Sequence, residues 1–454
     1  MNIKVQIEPN STEGKKKLFI KSYGCQMNAY DAVRMGDLMA PHGYTVVDKA
    51  DNADLVILNT CHIRDKADEK VFSDLGRFKK HGKPNTLYAV GGCIGQAMGE
   101  AVMKRSRAVS IVFGPQTYHR LPEFIAKSQV KDEDGKFTKV LDTDFPELEK
   151  FDQLPEQKAD GATAFLSIQE GCDKFCTYCV VPYTRGAEIS RKVDPILKDA
   201  INLASQGVKD ITLLGQNVNA YNGDDKQGNQ SSLAKLIKEI AKIEGVERIR
   251  FTTSHPANID DDLLELFGSE PKLMPYLHLP VQSGSDKILK AMNRSHTVDS
   301  YLNTIRKARK IRPDITISGD FIVGFPGETE EDYMETLAIV VEVGYATAYS
   351  FGYSARPGTP AAALENQVGE GIKKERLAGL QALLEAQQEE FAKQFVGKTL
   401  KVLVSGKGKQ KNQLRGHSEH NLVVNFDGGE RLLGEIVDVK IKDSYPKSLI
   451  GSIV

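Results

Sequence analysis

Short apolar runs alternate with helical stretches through the first 130 residues. Residues 17–23 (KLFIKSY), 54–59 (DLVILN), 86–90 (TLYAV) and 109–113 each read as a strand. Helical patterns occupy 31–42, the stretch from about Asp65 to Lys80, the stretch after GGCIGQ as far as Lys104, and 117–127. Strands alternating with helices predict a parallel α/β sheet. The rhythm stops at 130–161, where only KFTKVLD and FDQL look ordered, and this segment reads as a linker with a short strand. From Ala162 it resumes with different spacing. Strand-like runs recur at 163–169, 210–214, 248–253, 276–281, 316–323 and 347–353, with helical patterns between them. Six units rather than eight predict a partial parallel (β/α)6 barrel, whose active site lies at the C-terminal ends of its strands.

Residues 373–395 carry Leu377, Leu380, Leu384 and Phe391 on one helical face, the pattern of a connector packed across that barrel. Beyond it, KTLKVLVSG, HNLVVNF, EIVDVKI and SLIGSIV sit between Gly, Asn and Asp turns, which predicts a small antiparallel β-barrel. The expected domains are 16–130, a linker at 131–160, 161–392 and 393–454. A length of 454 residues fits about three domains at roughly 150 residues each.

Net charge is −1, so the whole-chain balance says nothing about nucleic acid. Its distribution says more. The linker holds ten Asp/Glu against five Lys, whereas the C-terminal barrel holds ten Lys/Arg against six Asp/Glu. Lys407, Lys409, Lys411 and Arg415 crowd one loop-like segment of that barrel. A charge run can be a solvated face, and a basic small β-barrel also suits nucleic acid, through phosphate neutralisation and stacking. The N-terminus lacks the apolar core of a signal peptide, and no run is long enough to span a bilayer. Six cysteines in such a chain suit a reducing cytoplasm.

Three of those cysteines, Cys172, Cys176 and Cys179, stand at C-x3-C-x2-C directly after the strand-like run 163–169. Three thiolates on one tight loop suit three irons of a 4Fe-4S cluster and leave the fourth iron open to an exogenous ligand. A structural zinc site wants four protein ligands and commonly paired C-x2-C elements. A disulfide framework belongs to short secreted chains. The other three, Cys25, Cys61 and Cys93, each follow a predicted strand, at separations of 35 and 31 intervening residues. In an open parallel sheet those ends share one edge, so the three can meet as a second three-thiolate site. Separately buried structural cysteines are the alternative. His62, beside Cys61, is either a fourth ligand or an exposed or outer-shell group. Arg185 and Arg191, after the cysteine loop, suit RNA phosphates and structural ion pairs equally. Gln216 and Asn217 stand at a strand end, where contacts to a bound cofactor are expected.

At its C-x3-C-x2-C spacing the loop GCDKFCTYCVVPY (171–183) resembles the radical S-adenosylmethionine (SAM) superfamily, which implies that SAM occupies the open iron through its amino and carboxylate groups. Tyr178 matches the aromatic that this superfamily commonly sets against the SAM adenine. The order of the three modules resembles the methylthiotransferases over essentially the whole chain, and the tail resembles their TRAM domain, which contributes to RNA binding. YGCQMN (23–28), NTCHIR (59–64), GGC (91–93), PYTRG (182–186), LLGQNVNAY (213–221), RIRFTTSHP (248–256), LHLPVQSGSD (277–286), MNRSHT (292–297) and DFIVGFPGET (320–329) carry the likeness. Cys25-Gln26-Met27-Asn28 is similar to the branch that acts on dimethylallyl-adenosine in tRNA. The ribosomal-protein branch usually carries Cys-Pro-Lys-Asn there, and the threonylcarbamoyl-adenosine branch Cys-Lys-Val-Asn.

The resemblance implies two 4Fe-4S clusters, a radical one on Cys172, Cys176 and Cys179 and an auxiliary one on Cys25, Cys61 and Cys93. It also implies two SAM per turnover, a reducing electron donor, and a tRNA anticodon stem-loop as substrate. A deoxyadenosyl radical takes the hydrogen from C2 of the modified adenine, and a sulfur on the auxiliary cluster, methylated by a second SAM, replaces it. Single-stranded loop RNA is read by splaying and stacking its bases. A non-catalytic iron–sulfur or zinc RNA-binding protein is the alternative from another class.

Overall fold

The computed structural model describes residues 14–62, 67–131, 133, 135–145 and 150–454. The polar tail 1–13, Ile63 and Arg64 of the NTCHIR motif, the helix start expected at Asp65, and Pro146 lie outside them. Two compact units emerge. One comprises the chain to Asp160 with Glu170–Asp173 and Val180–Glu188; the other comprises Gly161–Gln169, Lys174–Cys179 and Ile189–Val454.

In the first unit six strands pair in parallel in the order β2-β1-β3-β4-β5-β6. They are β1 (Lys16–Ser22), β2 (Tyr44–Val46), β3 (Leu55–Thr60), β4 (Leu87–Gly92), β5 (Val109–Phe113) and β6 (Val140–Asp142). Alternation along the strands supplies two cores. Leu55, Ile57, Leu87, Ala89, Ile111 and Phe113 face one layer, with Met35 and Phe124. Val56, Leu58, Tyr88, Val90 and Val112 face the other, with Val71, Leu75 and Val102. Apolar character on both sides is what a parallel sheet covered by helices requires. Two edge strands depart from the sequence expectation. β2 is only three residues long and its pattern was too short to read. The strand expected within the linker does form, and as β6 it pairs with β5 from Ile111↔Val140 to Phe113↔Asp142, so this stretch belongs to the sheet.

Helix α1 (Gln26–Met39) starts five residues earlier than hydrophobic periodicity implied. Its first two turns bury the polar Asn28 and Asp31, which a hydrophobic pattern cannot register. Cys25 is its N-cap, with extended backbone and no side-chain capping bond.

In the second unit Thr163–Ser167 (β7), Asp210–Leu214 and Arg248–Phe251 form one parallel leaflet, and Tyr276–His278, Thr316–Val323 and Thr347–Gly352 form another. A parallel bridge, Ile249↔Leu273, joins them. This is the expected six-stranded partial barrel. Helix Glu370–Lys393 packs on it as anticipated, burying Leu380 and Leu384, while the Arg376 guanidinium pairs with Glu328 at 2.8 Å. Among the described residues no helix is long and apolar enough to cross a membrane.

The C-terminal strands Thr399–Lys407, Gln413–Ser418, Val423–Asp427, Ile436–Tyr445 and Ser448–Ile453 close into a barrel around Val402, Val404, Val424, Phe426, Val439 and Ile441. One pair corrects the antiparallel expectation. Val423–Asp427 and Ser448–Ile453 run parallel, because the chain crosses the barrel through Ile436–Tyr445 before returning. Two arginines of the RIRF strand fasten this small barrel to the larger one. Arg248 donates to the carbonyls of His417 and Lys401, both at 2.9 Å. Arg250 donates to Glu419 O and Ser418 O while its Nε pairs with Asp210 at 3.0 Å. Hydrogen bonds from a charged group are worth about 1.5–3 kcal/mol each, so this fastening is substantial.

Candidate metal centres

Cys61 follows β3 directly, Cys93 follows β4 directly, and Cys25 stands three residues beyond β1. Those strands are adjacent and parallel, with Ser22 level with Asn59 and Asn59 level with Gly91. The three cysteines of the N-terminal unit therefore share one sheet edge, as the spacing predicted. None of the six cysteines is joined in a disulfide.

Local geometry shapes the turns that carry these cysteines. Gly24 has φ +95°, and a Cβ there would fall 2.6 Å from the Cys61 sulfur. Gly92 has φ +83°, and a Cβ there would lie 2.5 Å from Thr60 O. Only glycine fits such turns without displacing its neighbours. Buried amides then tie the turns together: Asn28 Nδ2 donates to Tyr23 O and Asn59 Nδ2 to Asn28 O, both at 2.8 Å. Thr60 Oγ1 donates to Gly91 O and accepts from Ile94 N. Asn28, Asn59 and Thr60 were not singled out from sequence, although all three lie inside the motifs quoted there.

The Cys25 thiol is lowered to about 6, chiefly by a hydrogen bond with Cys61, with burial opposing and Arg185 and the Asn28 N–H assisting. Burial pushes the Cys93 thiol up, against the charge of Arg185 and hydrogen bonds to Thr184 and Arg185. Cys25 and Cys61 bond each other and the charges of Cys25 and Cys93 interact, and thiols of this kind suit a cluster held by three thiolates, since thiolate is the metal-binding form.

Arg185 does not reach solvent. It is 3% exposed, and its Nη atoms donate to Asp31 at 2.8 Å, Asn28 Oδ1 at 3.0 Å and Glu170 at 3.1 Å. Arg191 is likewise buried, on Asp199 and Ser167 O, both at 2.7 Å. Of the two roles left open for these arginines, the structural ion pair is the one realised; burial removes both from RNA phosphates. His62 is partly buried beside Cys61.

The second cysteine set stands within eight consecutive residues. Cys172 N donates to Gly186 O. Cys176 and Cys179 are bridged by a Cys179 N–H to Cys176 O bond of 2.9 Å. Phe175 between them takes φ +47° and is 51% exposed, an unfavourable conformation for a non-glycine residue. The MNRSHT segment holds the loop there. Asn293 Nδ2 donates to Lys174 O and Phe175 O, Thr177 N donates to Met292 O, and Arg294 Nη1 approaches the Cys176 sulfur at 3.8 Å. Sequence reasoning noticed this segment but gave it no such role.

Tyr178 packs beside Met292, Phe325, Tyr353 and Ala361. Its phenol is held far above the ordinary range, first by burial and then by Cys176. Gln216 is partly buried and Asn217 is buried at the end of Asp210–Leu214; the backbone N–H groups of both donate to Gln169 Oε1, at 2.8 and 3.1 Å. His255 and His296 meet edge to face with centroids 5.8 Å apart. Burial, with Arg294 adding to it, lowers them to about 2 and about 3, so both imidazoles are neutral. The basic segment of the small barrel is exposed at Lys407, Lys409, Lys411 and Arg415, and Lys407 pairs with Glu430 at 2.7 Å.

Residues 166–340 match the Radical SAM superfamily, 17–114 the Uncharacterized protein family UPF0004, and 393–454 the TRAM domain. Full-length relatives are similar throughout. The tRNA-2-methylthio-N(6)-dimethylallyladenosine synthase of Ruegeria sp. (strain TM1040) is 54% identical over 97% of this chain and 99% of its own. The proteins of that name from Jannaschia sp. (strain CCS1) and Shigella boydii serotype 4 (strain Sb227) are each 51% identical, over 100% and 97% of this chain and 97% and 92% of their own. Among solved structures, the radical S-adenosylmethionine methyltransferase TsrM of Kitasatospora setae, with cobalamin and a 4Fe-4S cluster bound, superposes with a TM-score of 0.55. It covers 77% of each chain at 15% identity, a likeness of fold.

Proposed function

Because the chain belongs to the tRNA-2-methylthio-N(6)-dimethylallyladenosine synthase family, we infer that it replaces the C2 hydrogen of N6-dimethylallyl-adenosine in tRNA with a methylthio group. Likeness over the full chain to relatives of that name carries the reading. The finer assignments rest on the residues. Cys172, Cys176 and Cys179 hold the cluster that binds SAM, and Cys25, Cys61 and Cys93 hold the auxiliary cluster. When bound, the two 4Fe-4S clusters and two SAM supply the reductive, radical, sulfur-donating and methylating chemistry.

The chain's own residues supply placement. The bonds of Asn293 and Thr177 fix the loop that presents Cys176 and Cys179. Tyr178, packed beside Met292, Phe325 and Tyr353, would lie against the SAM adenine. Gln169 orients the Gln216–Asn217 turn by accepting both of its N–H groups, which supports a SAM contact from Gln216. Buried, neutral His255 and His296 add no charge near Cys176 and leave Arg294 as the cation beside it. Lys409, Lys411 and Arg415 are exposed, and suit the phosphates of an anticodon stem-loop. The reading implies a cytoplasmic enzyme that draws on a reducing electron donor and acts beside the anticodon.

The test is an anaerobic reaction of the cluster-loaded chain with SAM, a strong reductant and dimethylallyl-adenosine tRNA, followed by digestion and mass spectrometry. The 2-methylthio nucleoside is expected from this tRNA and not from threonylcarbamoyl-adenosine tRNA run in parallel. Product only from the second tRNA moves the chain to the sister branch. Deoxyadenosine without either product discards the substrate.

A further inference from the structure

Four ionised side chains meet in the interior of the N-terminal unit. Lys150 pairs with Glu170 at 2.6 Å and stands 4.0 Å from Asp31; Arg185 pairs with Asp31 at 2.8 Å and with Glu170 at 3.1 Å. All four side chains are at most 4% exposed. Lys150 also donates to Pro115 O, and Arg185 to Asn28 Oδ1. Two cations and two anions balance. As a device for stability this is a poor choice, because desolvating such groups costs several kcal/mol each and a well-packed apolar core does as well. The quartet calls for another purpose.

Its position suggests one. Asn28 and Asp31 lie in the first two turns of α1, the helix that Cys25 caps. Glu170 is two residues before Cys172, and Arg185 is six residues after Cys179. The short helix that Arg185 ends, Val181–Arg185, packs against the one that Cys93 begins, Cys93–Met98, and the Arg185 charge acts on both Cys93 and Cys25. One guanidinium thus bonds two carboxylates and an amide. Its charge does not titrate, and its planar fork fixes where the charge sits. Reduction potentials of iron–sulfur clusters follow net charge, hydrogen bonds to sulfur and exposure. A cluster on three thiolates becomes more negative on reduction, so a fixed buried cation favours the reduced form.

We propose that Arg185 is a positioning residue of the auxiliary centre: a buried cation that is held by Asp31, Glu170 and Asn28 beside the helices bearing Cys25 and Cys93, and raises the reduction potential of the cluster on Cys25, Cys61 and Cys93. This rests on the reading that those three cysteines hold a cluster. Asp31 opposes Arg185 electrostatically while orienting it, so the two residues act with opposite sign. A purely structural network has no such signature.

The experiment uses the full chain with Cys172, Cys176 and Cys179 changed to Ala, reconstituted anaerobically, so that one centre remains. Iron is counted, and the midpoint potential is read by a redox titration followed by electron paramagnetic resonance. Arg185→Gln is expected to shift the midpoint to more negative potential, Asp31→Asn to more positive potential, and Arg185→Lys to fall between the parent and Arg185→Gln. Should Arg185→Gln fail to fold, Asp31→Asn and Arg185→Lys still differ in sign and decide the matter. Midpoints indistinguishable from the parent, or Arg185 and Asp31 variants moving the same way, overturn the proposal while leaving the cluster in place. A parent that takes up no iron overturns the cysteine assignment itself, and this inference with it.

Discussion

The two cysteine trios carry the same three thiols and are built in opposite ways. Cys25, Cys61 and Cys93 come from the ends of three strands far apart in sequence and depend on the pairing of β1, β3 and β4. Cys172, Cys176 and Cys179 sit on one loop, whose residues 174–177 are held by bonds with the Met292–Arg294 segment. Each set has one arginine at hand, and the arginines differ. Arg185 is matched by two buried carboxylates. Arg294 lies by Cys176 and donates to Pro280 O at 2.6 Å, with no carboxylate at ion-pair distance among the described residues. A long-range site inherits the stability of its sheet; a local site inherits the quality of its clamp.

The sharpest break in this comparison is loss of a thiol. Cys176→Ala abolishes deoxyadenosine release and methylthiolation together. Cys61→Ala abolishes methylthiolation and leaves deoxyadenosine release, both measured on one reaction by mass spectrometry. Identical losses for the two variants would merge the two sites into one.

Next in size is damage to the scaffolds. Ile57, wholly buried in β3, changed to Ala costs about 2–5 kcal/mol in denaturant unfolding. It lowers iron uptake by the N-terminal trio, read in the chain that lacks the loop cysteines. Asn293→Ala removes two bonds to the loop carbonyls and costs about 1–3 kcal/mol. It lowers iron uptake in the chain that lacks the N-terminal cysteines and leaves uptake unchanged in the chain that lacks the loop cysteines.

Acid sharpens the contrast further. His255 and His296 stay neutral in the folded chain, at about 2 and about 3, but protonate near 6.5 once unfolded. Unfolded chain therefore takes up protons first. The stability these histidines allow is complete above about pH 6.5 and falls as pH drops, by up to ~1.4 kcal/mol per pH unit for each. Denaturant midpoints at pH 7 and pH 5 check this, and His296→Gln flattens the slope. The smallest effect belongs to the exposed segment. Lys411→Ala leaves stability within ~0.5 kcal/mol, yet weakens tRNA binding and shallows its salt dependence.

How much could be read beforehand follows the same division. The loop trio was legible from spacing, and the sheet trio from topology, because strand order follows from alternating apolar runs. The early start of α1 was hidden, since Asn28 and Asp31 are polar residues that the fold buries. Arg185 and Arg191 looked fit for phosphate because sequence does not show burial. Lys150 lay in a segment that composition marked as an acidic linker, although it pairs with Glu170 inside the unit. Nothing in MNRSHT showed that Asn293, at φ +57°, would hold a loop over a hundred residues upstream. The parallel strand pair of the small barrel depends on a crossover that local patterns do not encode.

Counting iron tests the two-site account most directly. After anaerobic reconstitution the full chain should hold about eight iron atoms. Replacing Cys25, Cys61 and Cys93 with Ala should leave about four, replacing Cys172, Cys176 and Cys179 should also leave about four, and replacing all six should leave none. A chain that loses all its iron with either trio, or keeps all of it without one, would contradict two independent cysteine-held centres.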